Sequence, residues 1–398
     1  MARRLTLEFL KTEAGSGMLL GLAAVAALIV ANSPLAPDYF AWLKSEHVLQ
    51  LGPLRLEESV SNWIKEGLMS IFFLVVGLEI KHEILRGELS DPRKLATPIV
   101  AAAGGIVAPA LIYLVVAGVL GGPHQGWPVP LATDIAFALA VFAMVARGLP
   151  TSLRLFLLTL AIVDDLAAIA LIAVLFSQGV DWMLVGMAAL AIGVMSLLSL
   201  RKLAAPFWVL GFGVVWWLTV ESGLSTSLAG VAFAAIVPIR PRVEDDQSPL
   251  REAMHDLHPY VAYLVLPLFA FAKAGVSFQG LALSALVSPL VLGVALGLFV
   301  GKQVGVFGAS WLAERAGLAK RPGEATLLEM YGVCLLCGVG FTMALFIGGL
   351  AFPGAVGGPE QTQVTLGVLL GSLLSALAGA AVLGFAARRR NQKILTEG

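Results

Sequence analysis

The sequence predicts an all-α membrane protein with about twelve transmembrane helices, and three observations support this fold class. The chain of 398 residues is 58% hydrophobic and only 13% charged, and its mean hydropathy is +0.89. A soluble domain carries roughly 25% charged residues, so this composition cannot cover a surface exposed to water. Apolar segments of about 20 residues recur along the chain, and the 43 glycines suit close packing of helices in a bilayer.

The apolar segments define the predicted spans. They run over residues 13–31, 63–80, 96–120, 127–146, 152–176, 182–200, 204–220, 224–239, 254–277, 286–312, 326–351 and 362–386. Because most connections are short, we predict one transmembrane domain over residues 1–398. The first run follows Arg3, Arg4 and Lys11 but is long for a signal peptide, so we predict an uncleaved span.

Positive charge predicts the orientation of these spans. Most of the 26 lysine and arginine residues lie at the chain ends and in alternating loops, whereas the opposite loops hold only Lys44 and Arg55. Since positive loops stay in the cytoplasm, both termini are predicted to be cytoplasmic. The net charge is zero, so we expect no nucleic-acid partner.

The longest outer loop surrounds a Gly52-Pro53 turn. Apolar and polar residues alternate on both sides of this turn, which predicts an external β-hairpin at about residues 45–58. An irregular loop is the alternative.

Two spans contain residues that interrupt helices. Span four begins with Pro128 and Pro130, and span eleven contains Gly338 and Gly340. Proline and clustered glycine weaken a helix interior. The two spans cross in opposite directions, which is expected of inverted repeats whose broken helices face each other. Kinked packing helices are the alternative.

The only cysteines, Cys334 and Cys337, have the spacing of a redox or metal pair. They lie in an apolar segment without a second ligand pair, so we predict that they pack in the core. No cofactor is expected.

Two adjacent acids, Asp164 and Asp165, lie near the middle of span five. An ionisable group facing lipid costs about 2.5–3.5 kcal/mol, so these acids must face protein or a wet cavity. Neighbours on a helix point about 100° apart and can therefore take different partners. A carboxylate in such a place can hold a proton or a hard cation such as Na⁺, but hardly both. The alternative is a structural acid pair neutralised by a lysine.

Three further residues accompany this pair. Asp134 follows the proline-rich break, where it can compensate charge at helix ends or cap a helix, and both roles can hold. Thr133 can offer an oxygen ligand, although threonine in a membrane helix often bonds its own backbone. Lys302 lies deep in span ten and needs a partner, for which a central aspartate is the obvious candidate. Snorkelling to the interface is the alternative.

A second group of charges lies at the inner ends of spans two and nine. Histidine titrates near neutral pH, so these residues are candidates for a cytoplasmic pH sensor. An interfacial charge cluster that anchors the helix ends is the alternative, and the sequence alone slightly favours it. The candidates are Glu79, His82, Glu83, Glu252, His255 and His258.

Nearly the whole chain resembles the NhaA family of bacterial sodium/proton antiporters. The motifs that carry this resemblance occur in the family's order. They are Gly77-Leu-Glu79-Ile-Lys81, Ala132-Thr133-Asp134-Ile-Ala-Phe137, Val163-Asp164-Asp165, Leu257-His258-Pro259, Pro267 to Gly275, Gly301-Lys302 and Cys337-Gly-Val-Gly-Phe-Thr342.

The resemblance implies a transporter rather than an enzyme. It implies twelve helices with spans four and eleven crossing near the midplane of a bacterial inner membrane. It implies electrogenic exchange of Na⁺ or Li⁺ for a larger number of protons, in pH and sodium homeostasis. Asp165 would be the main cation ligand, Asp164 the second proton-linked carboxyl and partner of Lys302, and Asp134 the charge compensator. A homodimer would form through the hairpin.

The sequence departs from the family at several positions near the sensor candidates. A histidine known in some members is absent from Leu224-Ser225-Thr226, and His82 and Lys273 replace a familiar arginine and asparagine. Met254 stands where an acid is expected. These changes leave the predicted transport residues intact and bear on pH regulation.

Three other functions fit the sequence less well. A sodium-coupled symporter needs groups for an organic substrate, and the core offers mainly carboxylates and one lysine. An intramembrane aspartyl protease needs aspartates on separate spans in Tyr-Asp and Gly-x-Gly-Asp contexts, which do not occur here. A passive cation channel is disfavoured by broken inverted helices, which indicate alternating access.

Overall fold

The computed structural model describes residues 13–51, 54–90, 92–177, 179–199, 205–239, 248–318, 321–323, 325–354 and 356–397. The basic residues before the first span and the predicted Gly52-Pro53 turn lie outside these ranges. Apart from the single turn Val60–Asn62, the first nine α-helices, α1 to α9, are Glu13–Ala31, Ala36–Lys44, Met69–Arg86, Pro92–Leu120, Ile135–Val145, Thr151–Leu175, Trp182–Leu198, Ala205–Glu221 and Thr226–Ile236. Helices α10 to α17 are Pro249–Tyr260, Leu266–Lys273, Leu283–Leu286, Pro289–Leu296, Gly308–Arg315, Leu327–Leu336, Phe341–Ala351 and Pro359–Glu397.

Short π-helical and 3₁₀ turns join several of these helices. The π-helix Trp63–Leu68 precedes α3, and Val261–Val265 joins α10 to α11. The π-helices Gly297–Gly301 and Gln303–Phe307 join α13 to α14, so that helix runs from Pro289 to Arg315. Each of the twelve predicted spans overlaps at least one helical segment of the described ranges.

Length and hydropathy single out the helices that can cross a membrane. In the described ranges five qualify alone, and two bent pairs qualify together, which gives up to seven. Helices α7, α8 and α9 are apolar but shorter. The chain is thus a mostly helical protein with membrane-spanning helices, and the count of about twelve spans stays a prediction.

The chain forms two compact units. The first takes its described residues from 1–40, 91–168 and 273–398. Glycines allow the helices of this unit to approach closely. A Cβ on Gly301 would lie 2.6 Å from Pro109 Cα of α4, and a Cβ on Gly305 would collide with Gly104 O. These contacts hold the segment that carries Lys302 against α4.

The second unit takes its described residues from 41–90 and 169–272. Helices α3 and α9 pack closely, since a Cβ on Gly77 would lie 2.7 Å from Ala234 Cβ. Leu78 of α3, Phe233 of α9 and Leu250 of α10 belong to one buried apolar cluster. This cluster positions the polar ends of α3 and α10.

The second unit also contains a two-stranded antiparallel sheet. Strand β1, Glu46–Leu51, pairs with β2, Leu54–Ser59, so that Glu46 lies opposite Ser59 and Leu51 opposite Leu54. Its placement outside the membrane stays a prediction, as does the single transmembrane domain.

Candidate functional site

Two bent pairs of helical segments in the first unit lie where the helix breaks were predicted. The turns His124–Gly126 and Val129–Leu131 meet α5 at a bend of 43°, and α15 meets α16 at a bend of 43°. The first break follows from Pro128 and Pro130, which cannot donate a backbone hydrogen bond. The second break contains Gly340, where a Cβ would lie 2.9 Å from Ala132 O of the first break.

A backbone hydrogen bond joins the two breaks directly. The Asp134 N–H donates to Val339 O at 2.7 Å. Gly340, the residue after Val339, permits this approach because it has no Cβ to meet the facing backbone of the first break. The interrupted segments therefore form one structural element, which is typical of the broken helices of secondary transporters.

Asp134 connects the ends of two helices at these breaks. It is only 2% exposed, and its Oδ1 accepts the Phe137 N–H at 3.0 Å as the N-cap of α5. Its Oδ2 accepts the Thr342 N–H at 3.0 Å and also the Thr342 hydroxyl. One carboxylate thus satisfies N–H groups at the starts of α5 and α16, where a negative charge is favourable.

Thr133 links the breaks to the acid pair on α6. Its Oγ1 lies 2.8 Å from Asp164 Oδ2 and 2.9 Å from Cys337 O. A hydroxyl has one proton to donate, so the two oxygens share this donor. The Thr133 hydroxyl therefore does not bond its own helix, the alternative that sequence patterns had left open.

Asp164 forms a fully buried ion pair. The Lys302 Nζ lies 2.5 Å from Asp164 Oδ2, and both side chains are 0% exposed. The amine thus stays in the interior and does not snorkel to a surface. Asp164 Oδ1 has no hydrogen-bond partner among the described residues. Buried charges are tolerated only when they are paired, and here the pair joins α6 to the helix from Pro289 to Arg315.

Asp165 lies on the same turn of α6. It is 1% exposed, and its side chain points about 100° around the helix from that of Asp164. The structure therefore brings Asp164, Thr133, Asp134 and Lys302 into one bonded network. Asp165, the residue after Asp164, is buried beside this network.

Two functional candidates are absent from the sequence-based set. Thr342 donates two hydrogen bonds to Asp134, and Ser372 of α17 accepts the Phe341 N–H. Thr342 belongs to the glycine-rich motif of span eleven and could have been singled out there. No sequence pattern distinguishes Ser372, because serines are common in apolar helices.

The two cysteines are buried free thiols in α15 and at its end. Cys337 Sγ donates to Val333 O within its own helix, and Cys337 O faces Thr133. Cys337 thus contacts the charged network through its backbone carbonyl. No cluster of three or more metal-ligating side chains occurs in the described ranges.

The sensor candidates lie in the second unit. Glu79, His82 and Glu83 are on α3, and His82 Nδ1 lies 3.9 Å from Glu83 Oε1. Glu252, His255 and His258 are exposed on α10, whose apolar face includes Met254 and packs on the buried cluster. Met254 is therefore part of the helix packing, since its side chain fills apolar space.

Lys81 has a separate role at the end of α9. Its Nζ donates to Ala235 O and Val237 O, each at 2.6 Å. A lysine at these positions satisfies carbonyl groups that lack partners at the helix C-terminus. This contact attaches α3 to α9 beside the sensor candidates.

Interrupted helices around buried carboxylates and a buried lysine are typical of secondary transporters. The profile of the family described as Na⁺/H⁺ antiporter 1 matches residues 7–383. The chain belongs to this family, which confirms the resemblance identified from its motifs. Its long apolar helices and bacterial relatives imply a multi-pass membrane protein.

Similar proteins cover nearly the full chain. The Na⁺/H⁺ antiporter NhaA of Bordetella parapertussis is 48% identical over 381 residues, which are 94% of this chain and 95% of the relative. That of Yersinia enterocolitica is 45% identical over 380 residues, 95% of this chain and 96% of the relative. The structure of the sodium proton antiporter MjNhaP1 from Methanocaldococcus jannaschii has a TM-score of 0.55 and 16% identity, covering 97% of this chain and 99% of that one. This last similarity concerns the fold.

Proposed function

We propose that this protein exchanges Na⁺ or Li⁺ for H⁺ across a bacterial inner membrane. The observation that carries the proposal is the buried Asp164–Lys302 pair, which shares Asp164 Oδ2 with the Thr133 hydroxyl at the junction of two broken helices. Family membership supports the same activity. The proposed cargo is Na⁺ and H⁺, without a cofactor.

Competition between cation and proton couples the two fluxes. In this proposal Asp165 is the main Na⁺ ligand and Asp164 contributes, with oxygen from Thr133 available beside it. Hard cations prefer such oxygen ligands. A proton on Asp165 removes the charge that binds Na⁺, so the site carries one or the other. Because the site opens to one side of the membrane at a time, competition between Na⁺ and H⁺ for it leads to exchange of the two ions across the membrane.

The formal charges of the network support electrogenic exchange. Asp164, Asp165 and Lys302 together carry one negative charge when all are ionised, and one Na⁺ neutralises it. Protonation of both carboxylates in place of Na⁺ leaves one positive charge. The two loaded forms thus differ by one charge when two protons exchange for one Na⁺. In this scheme the pair separates once Asp164 is protonated.

Asp134 and Lys302 have supporting roles in the proposal. Asp134 compensates the positive ends of α5 and α16 and keeps the two breaks together near the membrane midplane. Lys302 neutralises Asp164 until a proton replaces it. Neither role requires direct contact with Na⁺.

The test measures Na⁺-driven proton movement in proteoliposomes with an acidic lumen and a lumenal pH dye. External Na⁺ is expected to raise the lumenal pH with the wild-type chain and to leave it unchanged with Asp165→Asn. Asp38→Asn, which removes an exposed acid in α2, is the matched control and should behave as wild type. Exchange that survives in Asp165→Asn would falsify the assignment. A rate that does not respond to a K⁺/valinomycin potential would contradict electrogenic exchange.

The polar ends of α3 and α10 are proposed to regulate exchange by pH on the cytoplasmic side, where both chain termini also lie. The two helices share the apolar cluster that contains Leu78 and Leu250, so a charge change on α10 acts on a packed neighbour. The combined change His255→Gln and His258→Gln is expected to move the pH midpoint of exchange. His124→Gln, at another exposed histidine, is the control. If the pH midpoint of exchange does not change, the two histidines do not regulate exchange.

The hairpin is proposed to join two copies of the chain outside the membrane. A two-stranded sheet is marginal alone, and the edge of a strand can pair with another chain. Replacing residues 46–59 by a glycine-serine linker should convert a dimer into a monomer in detergent, as measured by light scattering. An unchanged mass would exclude the hairpin as the dimer contact.

A further inference from the structure

The start of α16 lies in the protein interior without a capping side chain of its own. Its N-cap residue is Gly340, and Phe341 and Thr342, the first two residues of the helix, are both buried. The first N–H groups of any helix have no partner within that helix. In a buried position each such donor needs an acceptor from elsewhere in the protein.

Two different elements supply these acceptors. Asp134 Oδ2 accepts the Thr342 N–H at 3.0 Å, and Ser372 Oγ of α17 accepts the Phe341 N–H at 3.1 Å. The start of α16 is therefore held on one side by the first break and on the other by the last long helix. Asp134 belongs to the site described above, whereas Ser372 has no assigned role.

Helix α17 lies close to this junction along the face that carries Ser372. A Cβ on Gly371 would lie 2.9 Å from Leu298 Cβ, and a Cβ on Gly338 would collide with Ser375 Oγ. Ser372 and Ser375 are three residues apart and thus lie on one face of the helix. Both serines are buried against the second break, and among the described residues Ser372 accepts a backbone N–H there whereas the Ser375 hydroxyl has no hydrogen-bond partner.

We propose that Ser372 is a positioning residue for ion exchange. Its hydroxyl fixes the N-terminus of α16, whose next residue, Thr342, orients the Asp134 carboxylate. The Asp134 N–H in turn donates to Val339 O. Val339 lies two residues after Cys337, whose carbonyl accepts from the Thr133 hydroxyl. That hydroxyl also lies within hydrogen-bond distance of Asp164. Ser372 thus acts on the ion site through these bonds and touches neither acid of the α6 pair.

This arrangement separates a positioning role from a structural one. If Ser372 orients the oxygen groups around the ion site, its loss changes the Na⁺ concentration for half-maximal exchange and the pH profile. If it only stabilises the fold, its loss lowers the amount of folded protein and the maximal rate, and leaves the apparent KM and pH profile unchanged. The inference rests on the proposed exchange activity, which the wild-type chain reports in the same vesicles.

The test compares the two serines in proteoliposomes with the full-length chain. Ser372→Ala is expected to raise the apparent KM for Na⁺ by about tenfold, the size of effect that follows from one unpaired buried donor. Ser375→Ala is the matched control, because its hydroxyl has no hydrogen-bond partner among the described residues. Its KM should stay within about twofold of wild type, and Ser372→Thr, which keeps the hydroxyl, should do the same.

The inference is overturned if Ser372→Ala and Ser375→Ala share the same KM and pH profile, or if Ser372→Thr behaves as Ser372→Ala. If Ser372→Ala is not recovered folded, Ser372→Cys takes its place, since sulfur is a weaker acceptor. A raised KM in the cysteine variant supports the inference, and an unchanged one overturns it. Absence of exchange by the wild-type chain would instead overturn the proposed function together with this inference.

Discussion

The Lys302 ammonium lies 2.5 Å from the Asp164 carboxylate, and neither side chain has any exposed surface. The two residues are 138 positions apart in the chain. Removal of one partner of a buried pair leaves an uncompensated charge, whereas removal of both leaves none. This asymmetry makes the pair testable apart from transport.

Lys302→Met is therefore expected to lower the free energy of unfolding by about 3–5 kcal/mol. The double variant Lys302→Met with Asp164→Leu should recover most of that loss, because two apolar side chains replace both charges. Thermal unfolding of the detergent-solubilised protein measures both effects. A double variant that is less stable than the single one would show that the pair itself stabilises the fold.

Removal of Asp134 should affect the two helix starts that it caps. Asp134→Ala leaves the Phe137 and Thr342 N–H groups without their acceptor, which we expect to cost about 2–4 kcal/mol of unfolding free energy. Asp181→Ala removes the exposed N-cap of α7, which accepts the Met183 N–H, and should cost only about 1 kcal/mol. Equal losses measured by thermal unfolding would contradict the double-cap interpretation.

Thr133 should contribute to exchange through its hydroxyl. Thr133→Val keeps the shape but removes the donor shared by Asp164 and Cys337 O, so the apparent KM for Na⁺ should rise about tenfold. Thr133→Ser should remain close to wild type. The control is Thr159→Val on α6, where the hydroxyl donates to Leu155 O of its own helix. If both valine variants show the same KM, the Thr133 contacts do not matter for exchange.

Close helix packing should make Gly305 intolerant of a methyl group. A Cβ there would collide with Gly104 O of α4, so Gly305→Ala should destabilise the protein by about 1–3 kcal/mol. It should also disturb Lys302, one helical turn away. Gly308→Ala is the control in the same helix, because nothing lies within 4 Å of its Cβ position and its φ is −61°. That change should be neutral or slightly stabilising. Equal thermal stability of the two variants would show that close packing of this helix against α4 does not contribute to stability.

Patterns within single segments predict much of this protein. Runs such as Ala14–Ala31 indicate spans because lipid excludes charge, and the same exclusion identifies Asp164, Asp165 and Lys302 as exceptional. The interruptions at Pro130 and Gly340 follow from local backbone chemistry. These features depend on neighbours in sequence, so one chain read alone is sufficient to find them.

The partners of these residues depend on tertiary structure. Residue patterns leave open which central aspartate Lys302 approaches, and the fold brings its Nζ to Asp164. Thr342 donates to Asp134 across 208 positions, and Phe341 donates to Ser372 across 31. Such contacts require several helices to pack together, and hydropathy does not encode which serine or threonine faces which break. The sequence by itself therefore determined where charge lies in the spans, and only the packed helices decided how that charge is held.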